Sequence, residues 1–420
     1  MERCFKSADI LLPDFEKNDP RVWAVVACDQ FTSEPEYWEA AKKEVGDAPS
    51  TLRLILPEVY LSETAERIPA INETMNKYLS SVLVSHHDSQ IFVERVQSDG
   101  SIRRGIILAV DLEAYDYRRG ADSLIRATEA TVVARIPPRV AIRRDAPIEL
   151  PHVMLLIDDP DRTVIEPLIG SDEGTIVYDT ELMLRGGHIT GRFLSDGEKE
   201  RTALALDALI APETVEKRYK KAGLAPLLFA VGDGNHSLAS AKATYEEIKG
   251  QIGEEAASTH PARYALAEIV NIHDDALKFE PIYRVMFRVD PIDVISELKK
   301  YTLGLCGEVA AQSITYLYGN ETGELTVEHP EKQLTVATLQ DFIDGYISAH
   351  PECEVDYIHG EDSVRGLIKK ENSIGFIFSG MAKSDLFPTV VFDGALPRKT
   401  FSMGHAEDKR YYMECRKIKL

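Results

Sequence analysis

The sequence has few cysteines and no long apolar run. Its five cysteines, Cys28 among them, are scattered without any Cys-x-x-Cys pair, which argues against both a disulfide framework and a zinc-ligand spacing. No apolar stretch reaches the length of a membrane span, and the first residues lack the apolar core of a secretion signal. These absences predict a reducing compartment and a cytoplasmic location.

Basic charge is also scarce. The chain has 48 Lys and Arg against 69 Asp and Glu, and its formal net charge is -21. Such a surface repels the phosphates of nucleic acids and of anionic lipids. We therefore expect a small-molecule substrate, and neither a nucleic acid nor a membrane as partner; self-association into a homo-oligomer stays open.

The remaining composition is that of an ordinary globular protein, with 44% hydrophobic and 28% charged residues in 420. Apolar strand-like runs alternate with helical patterns, which predicts an α+β (mixed α/β) fold with a central mixed sheet. We expect a main body that carries the site over 1–288 and a smaller α/β domain over 289–381. A C-terminal segment over 382–420 is expected to return to the main body.

The most informative feature is a strand-to-helix junction in the middle of the chain. Residues 227–231 have the composition of a buried strand, and apolar residues at helical spacing begin at Leu238. Backbone amides and the helix dipole at such a junction stabilise an anionic group, and glycines allow its close approach. The plainer alternative is a turn in which Asp233 or Asn235 caps the helix. The junction consists of Gly232, Asp233, Gly234, Asn235, His236 and Ser237.

A second junction follows the apolar run 23–27, which reads as another strand. Ser33 and Glu36 have the form of a capping box, which would open a helix that runs to about Val45. The alternative for each polar residue here is a role in a plain capped helix start. The candidate substrate-binding residues at this junction are Asp29, Gln30 and Thr32.

Other periodic segments extend the mixed α/β pattern along the chain. A glycine-bearing stretch over 319–323 predicts a hairpin turn in the smaller domain. Further strands are expected at 90–96, 106–110, 152–157, 313–318 and 373–378, and further helices at 292–301 and 339–349.

Arginines are concentrated between residues 126 and 144, beside Pro137 and Pro138. Held on an irregular path, their guanidinium groups could converge on one anion; the alternative is that each pairs with a surface carboxylate. Glu129 lies in the same stretch, where it could accept a proton from a hydroxyl close to a phosphate. The arginines are Arg126, Arg135, Arg139, Arg143 and Arg144.

Many of these stretches, in this order, resemble the signature of domain-of-unknown-function family 1015. The resemblance spans nearly the whole chain and brings little established biochemistry with it. The stretches that carry it are 23–33, 126–129, 135–139, 149–152, 233–239, 279–285 and 397–402.

The element Asp233-Gly234-Asn235-His236, followed by a helix, is also similar to the Asp-Gly-His-His-Arg element of the ParB/sulfiredoxin superfamily. Members include nucleotide-binding segregation proteins, sulfiredoxin and a kinase that acts on free serine. The resemblance implies nucleotide phosphates at the helix start and a glutamate as base, here Glu129. Ser237 replaces the arginine of the element, so the phosphate charge would need Arg126, Arg139 or Lys399.

Together these features suggest a phosphotransferase or phosphatase that acts on a small hydroxy amino acid or its phosphate ester. The resemblance favours serine or phosphoserine as substrate, with Mg²⁺ and ADP or ATP as cofactors. Asp233 would hold the Mg²⁺ or His236, and His236 would orient the reacting oxygen. His188 and His405 lie in glycine-bearing loops that could border the site, and they are further candidate substrate-binding residues. One alternative is a nucleotide- or metabolite-binding regulator without turnover. The other is a metal-dependent hydrolase with Asp233 and His236 as ligands, together with His188 or His405.

Overall fold

The computed structural model describes residues 3–129 and 136–420. These residues form two compact units. The first comprises 3–127, 136–277 and 405–420, and the second comprises 278–404 with Thr128 and Glu129. The domain limits expected from the sequence remain a prediction. Within the described ranges, no helix is both long enough and apolar enough to cross a membrane.

The helices and strands alternate along most of the chain. The strands are β1 Phe5–Lys6, β2 Ala8–Pro13, β3 Leu83–Ser89, β4 Ile91–Val96, β5 Ile102–Asp111, β6 Tyr115–Asp116, β7 Ile125–Ala127, β8 Ile148–Glu149, β9 Met154–Ile157, β10 Thr175–Glu181, β11 His188–Phe193, β12 Phe229–Asp233, β13 Tyr264–Asn271, β14 Phe279–Phe287, β15 Gln312–Tyr318, β16 Glu321–Val327, β17 Glu354–His359, β18 Ser373–Ile377, β19 Phe401–Met403 and β20 Arg416–Lys417. The α-helices are α1 Pro20–Trp23, α2 Pro35–Val45, α3 Thr64–Ser81, α4 Ile136–Arg144, α5 Asp196–Leu209, α6 Pro212–Tyr219, α7 Asn235–Ile252, α8 Glu254–Ser258, α9 Pro291–Leu303, α10 Thr335–Ala349, α11 Glu361–Leu367 and α12 Leu386–Phe392.

A large mixed sheet forms the centre of the first unit. Its strands lie in the order β10-β11-β4-β5-β13-β9-β12-β7-β6, and β1 pairs with β5. β12 is parallel to β7 and antiparallel to β9. Successive residues of a strand point to opposite faces, and both faces are covered: Ile106 and Leu108 of β5 belong to one buried cluster, and Ile107 and Ala109 belong to another. The predicted α+β class with a central mixed sheet is confirmed.

The second unit contains a smaller sheet with the strand order β16-β15-β18-β14-β17, and β19 pairs with β14. All of these pairs are antiparallel. Tyr318 pairs with Glu321, so Gly319 and Asn320 form the predicted hairpin turn, and Gly319 has a φ of 55°. Helices α9 and α10 and strands β15 and β18 lie where the sequence predicts them.

The structure corrects the predicted strand over 23–27. Asp19 caps the short helix α1, which ends at Trp23, and in the apolar run only Val26 makes a bridge, to Tyr411. The run is apolar because it is buried, with residues 23–27 all at most 2% exposed. The predicted capping box is also absent: Glu34 is the N-cap of α2 and makes no side-chain capping bond.

Most of residues 408–416, in the C-terminal segment 405–420, are buried within the first unit. The amide of Ala27 donates to the carbonyl of Arg410, and the Arg410 guanidinium lies 3.2 Å from Glu268 and 2.5 Å from Glu414. Tyr178 donates to Glu414 at 2.6 Å. Because these groups are nearly fully buried, the pairing is needed to offset their lost hydration. The segment is therefore part of the core.

Candidate functional site

The junction between β12 and α7 has the backbone geometry of a tight turn. Gly234 is the N-cap of α7, has a φ of 79°, and makes no side-chain capping bond. A Cβ on Gly232 would lie 2.8 Å from Leu156, and one on Gly234 would lie 3.0 Å from the Cα of Val153. Both positions therefore require glycine. The first turn of α7 contains Asn235, His236 and Ser237. Because its N-cap residue is a glycine, no N-cap side chain accepts a hydrogen bond from the amides of this turn.

Asp233 is the charged residue of this turn. Its Oδ1 accepts the Gly234 amide at 2.9 Å, and its Oδ2 lies 3.2 Å from Nζ of Lys409. Both side chains are mostly buried. An ammonium group next to the N-terminus of a helix adds to the positive potential of the helix dipole. The arrangement provides a cation for an anionic ligand group, and Asp233 partly neutralises it.

His152 is the titratable group at the centre of the site. Its Nε2 lies 3.6 Å from Oδ2 of Asp29, and its Nδ1 is hydrogen-bonded to the Tyr412 hydroxyl at 2.7 Å. Burial by itself lowers the pKa of His152, but the carboxylate of Asp29, aided by that of Asp233, outweighs burial and raises it. Burial raises the pKa of Asp29, but His152, then the hydrogen bond from Gln30 and then Lys409 outweigh burial, and the net pKa is lowered. Asp29 and His152 thus stabilise each other's charged form.

The segment of Cys28 and Asp29 joins this centre to α4. Cys28 donates its amide to the Tyr412 hydroxyl at 3.1 Å and accepts the Glu58 amide at 2.8 Å through its carbonyl. Glu58 forms an ion pair with Arg139. Burial, with a further contribution from Asp29, raises the pKa of the Cys28 thiol to about 12, so this thiol is not an activated nucleophile.

The structure brings Asp29, Asp233 and Arg139 to one region of the first unit, and it places Gln30 beside Asp29. Gln30 donates to Asp29 at 2.9 Å. Thr32 is exposed in the following turn. Gly232, Gly234, Asn235, His236 and Ser237 lie with Asp233 at the junction of β12 and α7. The other site residues predicted from the sequence lie elsewhere.

The described arginines do not converge on one point. Arg126 lies in β7, is nearly fully buried, and donates to the carbonyls of Ser123, Ala225 and Pro226, so its guanidinium lies before the start of β12. Arg143 and Arg144 form ion pairs with Glu149 and Glu247. Arg135 lies outside the described residues.

His188 and His405 have separate positions in the first unit. His188 is in β11, with Nε2 2.5 Å from Asp179 and Nδ1 3.0 Å from Glu181. Strands β4, β5, β13 and β9 separate β11 from β12. His405 precedes a short 3₁₀ turn at the start of the C-terminal segment.

Glu129 and Lys399 belong to the second unit. Glu129 forms a parallel bridge with Leu396, and the carbonyl of Lys399 accepts a hydrogen bond from Arg284 at 3.0 Å. Burial lowers the pKa of Arg284 to about 10, and the carboxylate of Glu129 acts in the opposite direction. Glu129 is therefore near a buried guanidinium of its own unit.

No cluster of three or more His, Cys, Asp or Glu side chains suited to a metal ion occurs among residues 3–129 and 136–420. Mg²⁺ is often bound by only one or two carboxylates together with substrate phosphates. Asp233 could supply one such carboxylate.

The comparisons with known proteins identify a family. The family model described as "Protein of unknown function (DUF1015)" matches residues 13–378. The chain belongs to DUF1015. No curated protein matches the chain significantly.

Among solved structures, a variant of free serine kinase in complex with ADP has a TM-score of 0.38 and 12% identity to this DUF1015 chain, and the match covers 75% of this chain and 92% of the kinase. A conserved hypothetical protein from Pyrococcus furiosus has a TM-score of 0.34 and 13% identity, over 71% and 90% of the two chains. Truncated SbnI from Staphylococcus aureus has 0.35 and 10%, over 71% and 82%.

Sequence reasoning did not select His152, Lys409 or Tyr412 of this DUF1015 protein. His152 ends the stretch 149–152, one of those that resemble the family, and this was the available signal. Lys409 and Tyr412 follow His405 in the sequence, and His405 is the residue of this stretch that the sequence analysis selects. Their importance depends on contacts with residues far away in the sequence, which no local pattern reveals.

Proposed function

We propose that this protein is a phosphoryl-transfer enzyme, a phosphotransferase or phosphatase, which acts on a small hydroxy amino acid or its phosphate ester. Serine or phosphoserine is the best candidate substrate, and ADP or ATP with Mg²⁺ the best candidate cofactors. The main support is the convergence of Asp29, His152, Asp233 and Lys409 near the start of α7. The similarity of residues 233–236 to the ParB/sulfiredoxin element adds to it.

The proposed roles follow from charge. The first-turn amides of α7 and Lys409 would hold the phosphoryl group. The side chain of Asp29 is 29% exposed, and its lowered pKa keeps it ionised, which suits the ammonium group of an amino acid. His236 would orient the reacting oxygen.

Glu129 is proposed as the base, by analogy with the serine kinase. In the kinase direction the substrate hydroxyl oxygen bonds to phosphorus, its proton passes to Glu129, and the bond from phosphorus to the nucleotide oxygen breaks. Mg²⁺, with Asp233 as one ligand, would neutralise charge on the phosphates. The proposal includes a cytoplasmic location and a small-molecule substrate, with no nucleic acid or membrane as partner.

The test is an assay of phosphoryl transfer in both directions. The protein is incubated with serine and either ATP or ADP, with phosphoserine and either ADP or AMP, and with phosphoserine alone. Each mixture contains Mg²⁺, and ³¹P NMR follows the products. We expect Glu129→Gln to lower kcat by about 10²-fold or more and to leave nucleotide affinity unchanged. Asp29→Asn should chiefly raise KM for the amino acid.

Two exposed residues supply matched controls. Asp275, which pairs with Arg162, and Glu354, which pairs with Arg288, are both on the surface, so Asp275→Asn and Glu354→Gln should leave the kinetics unchanged. Nucleotide binding without turnover in either direction would contradict the proposal and favour the regulator. A tightly held stoichiometric transition metal would favour the hydrolase.

A further inference from the structure

A cavity in the first unit lies between α2, α3 and the loop that joins them. Its volume is about 290 Å³, close to the lower end of small-molecule sites. Trp38 and Val45 of α2, and Ala70 and Ile71 of α3, contribute to its apolar lining. None of the residues that form the site at the start of α7 lines this cavity. Ligand binding in the cavity is therefore independent of the proposed function.

The spacing of the lining residues shows that each helix presents one face to this cavity. Residues 38, 42 and 45 of α2 and residues 67, 70, 71 and 74 of α3 line it, and positions three or four apart lie on the same side of a helix. Two helix faces that pack fully would meet side chain to side chain. Here the two helix faces enclose a space instead, and the loop residues Leu52, Ile55 and Pro57 complete the lining of the cavity.

Trp38 provides an unused hydrogen-bond donor. The residue is 2% exposed, and its Nε1 has no hydrogen-bond partner in the part of the chain that the structure describes. A buried donor without an acceptor destabilises the folded state, and most buried indole N–H groups have a partner. A ligand acceptor in the cavity would satisfy it.

The polar part of the lining carries an excess of positive charge in a strongly acidic protein. Lys42, Arg53 and Arg67 line the cavity together with one carboxylate, that of Glu39. Arg67 is held by Glu63 at 2.6 Å, and Lys42 lies 4.0 Å from Glu39.

Arg53 differs from the other two cations. It donates to the carbonyls of Gly46 and Ala48 and interacts with the hydroxyl of Tyr78. Among residues 3–129 and 136–420, no carboxylate forms an ion pair with it. These partners orient the guanidinium, and because Arg53 is exposed, water solvates the charge that no carboxylate balances.

We propose that this cavity binds a small monocarboxylate with a branched or aromatic apolar group. The apolar group would contact Ile55, Ile71 and the Trp38 ring. One carboxylate oxygen would accept the Trp38 N–H, and the charge would be balanced by Arg53. A neutral molecule of the same shape would satisfy the donor but not the charge, so binding should depend on the carboxylate.

The chain contains two tryptophans, which makes the test specific. Trp23 is already bound, through Nε1, to the carbonyl of Met413 at 2.9 Å, so its indole signal is an internal reference. The full-length protein labelled with ¹⁵N is titrated with isovalerate and with phenylacetate, and with the matching amides as neutral controls. Trp38→Phe assigns the two indole signals.

We expect at least one of the two acids to shift the Trp38 indole signal with a dissociation constant of about 1 mM or tighter, and to leave that of Trp23 in place. Arg53→Gln should weaken binding about tenfold or more. Arg144→Gln, at an exposed residue of α4, is the matched control and should bind as the parent does.

Three results would overturn this inference. The first is that neither acid moves the Trp38 signal. The second is that the amides bind as tightly as the acids. The third is that Arg53→Gln binds as tightly as the parent. The first two are measured on the unaltered protein, so they hold even if a variant fails to fold.

Discussion

His152 lies between a carboxylate oxygen that favours its charged form and a hydroxyl oxygen that is compatible with both forms. The Asp29 carboxylate attracts an imidazolium, whereas the Tyr412 hydroxyl can either donate to a neutral ring or accept from a charged one. Because Asp29 and Asp233 together outweigh burial, the pKa of His152 is raised and its charged form is stabilised.

Asp29→Asn tests this balance. Without the carboxylate, burial dominates, and the pKa of His152 should fall from above its usual value near 6.5 to below it. The measurement is a pH titration of the His152 ring signals by NMR, with Asp275→Asn as control. An unchanged His152 pKa in Asp29→Asn would show that the ion pair does not determine it.

The same pair predicts how stability depends on pH. A histidine whose pKa is raised by folding stabilises the protein below its unfolded pKa, and this contribution is lost as the pH rises through the folded value. The difference in unfolding free energy between the parent and Asp29→Asn should therefore shrink as the pH is raised from 6.5 through the folded pKa of His152.

One glycine lies at the N-cap of α7 and another lies within the helix, and their replacement should have opposite effects. Gly234 has a φ of 79° and little space for a Cβ, whereas a Cβ on Gly250 would meet nothing within 4 Å. We expect Gly234→Ala to destabilise the protein by about 1–2 kcal/mol. Gly250→Ala should stabilise it by about 0.5–1 kcal/mol. Denaturant unfolding of both variants measures this, and a stable Gly234→Ala protein would mean that the turn can adopt another backbone conformation.

The elements that the sequence predicts correctly are those specified by local patterns. Strand β12 and helix α7 follow from an apolar run and a helical period on either side of two glycines, and only the strand limits shift, from 227–231 to Phe229–Asp233. The run 23–27 misleads because burial without strand pairing has the same apolar composition. Its partner, Tyr411, is too distant in the sequence to be inferred.

The candidate site divides along the same line. Asp29 and Asp233 stand out because they follow apolar runs, so local reasoning finds them. Lys409 and Tyr412 meet them only because the C-terminal segment returns to the first unit. The arginines are close together in the sequence, but they do not share a target in the structure, since Arg143 and Arg144 have separate carboxylate partners.

At the scale of the whole molecule, the first unit depends on its last residues. Removing 405–420 would take one of two arginine partners from each of two buried carboxylates. Glu268 would lose Arg410 and keep Arg103, and Glu149 would lose Arg416 and keep Arg143, so the pairing that offsets their lost hydration would be weakened. We expect this truncation to lower the Tm sharply or to prevent folding. Removing only Lys419 and Leu420, which are exposed, should change stability by less than about 0.5 kcal/mol. Equal stability of the two truncated proteins would contradict a structural role for the segment.

The position of Lys409 and Tyr412 in the chain has a consequence for biosynthesis. A protein is made from its N-terminus, and domains that are contiguous in sequence can fold as they leave the ribosome. The first unit is interrupted by residues 278–404, so Asp29, His152 and Asp233 are translated well before the lysine and the hydroxyl that complete their surroundings. In a nascent chain, Asp29 and Asp233 would lack Lys409 until residues 278–404 had been synthesised. Ligand binding that needs Lys409 would be delayed until then.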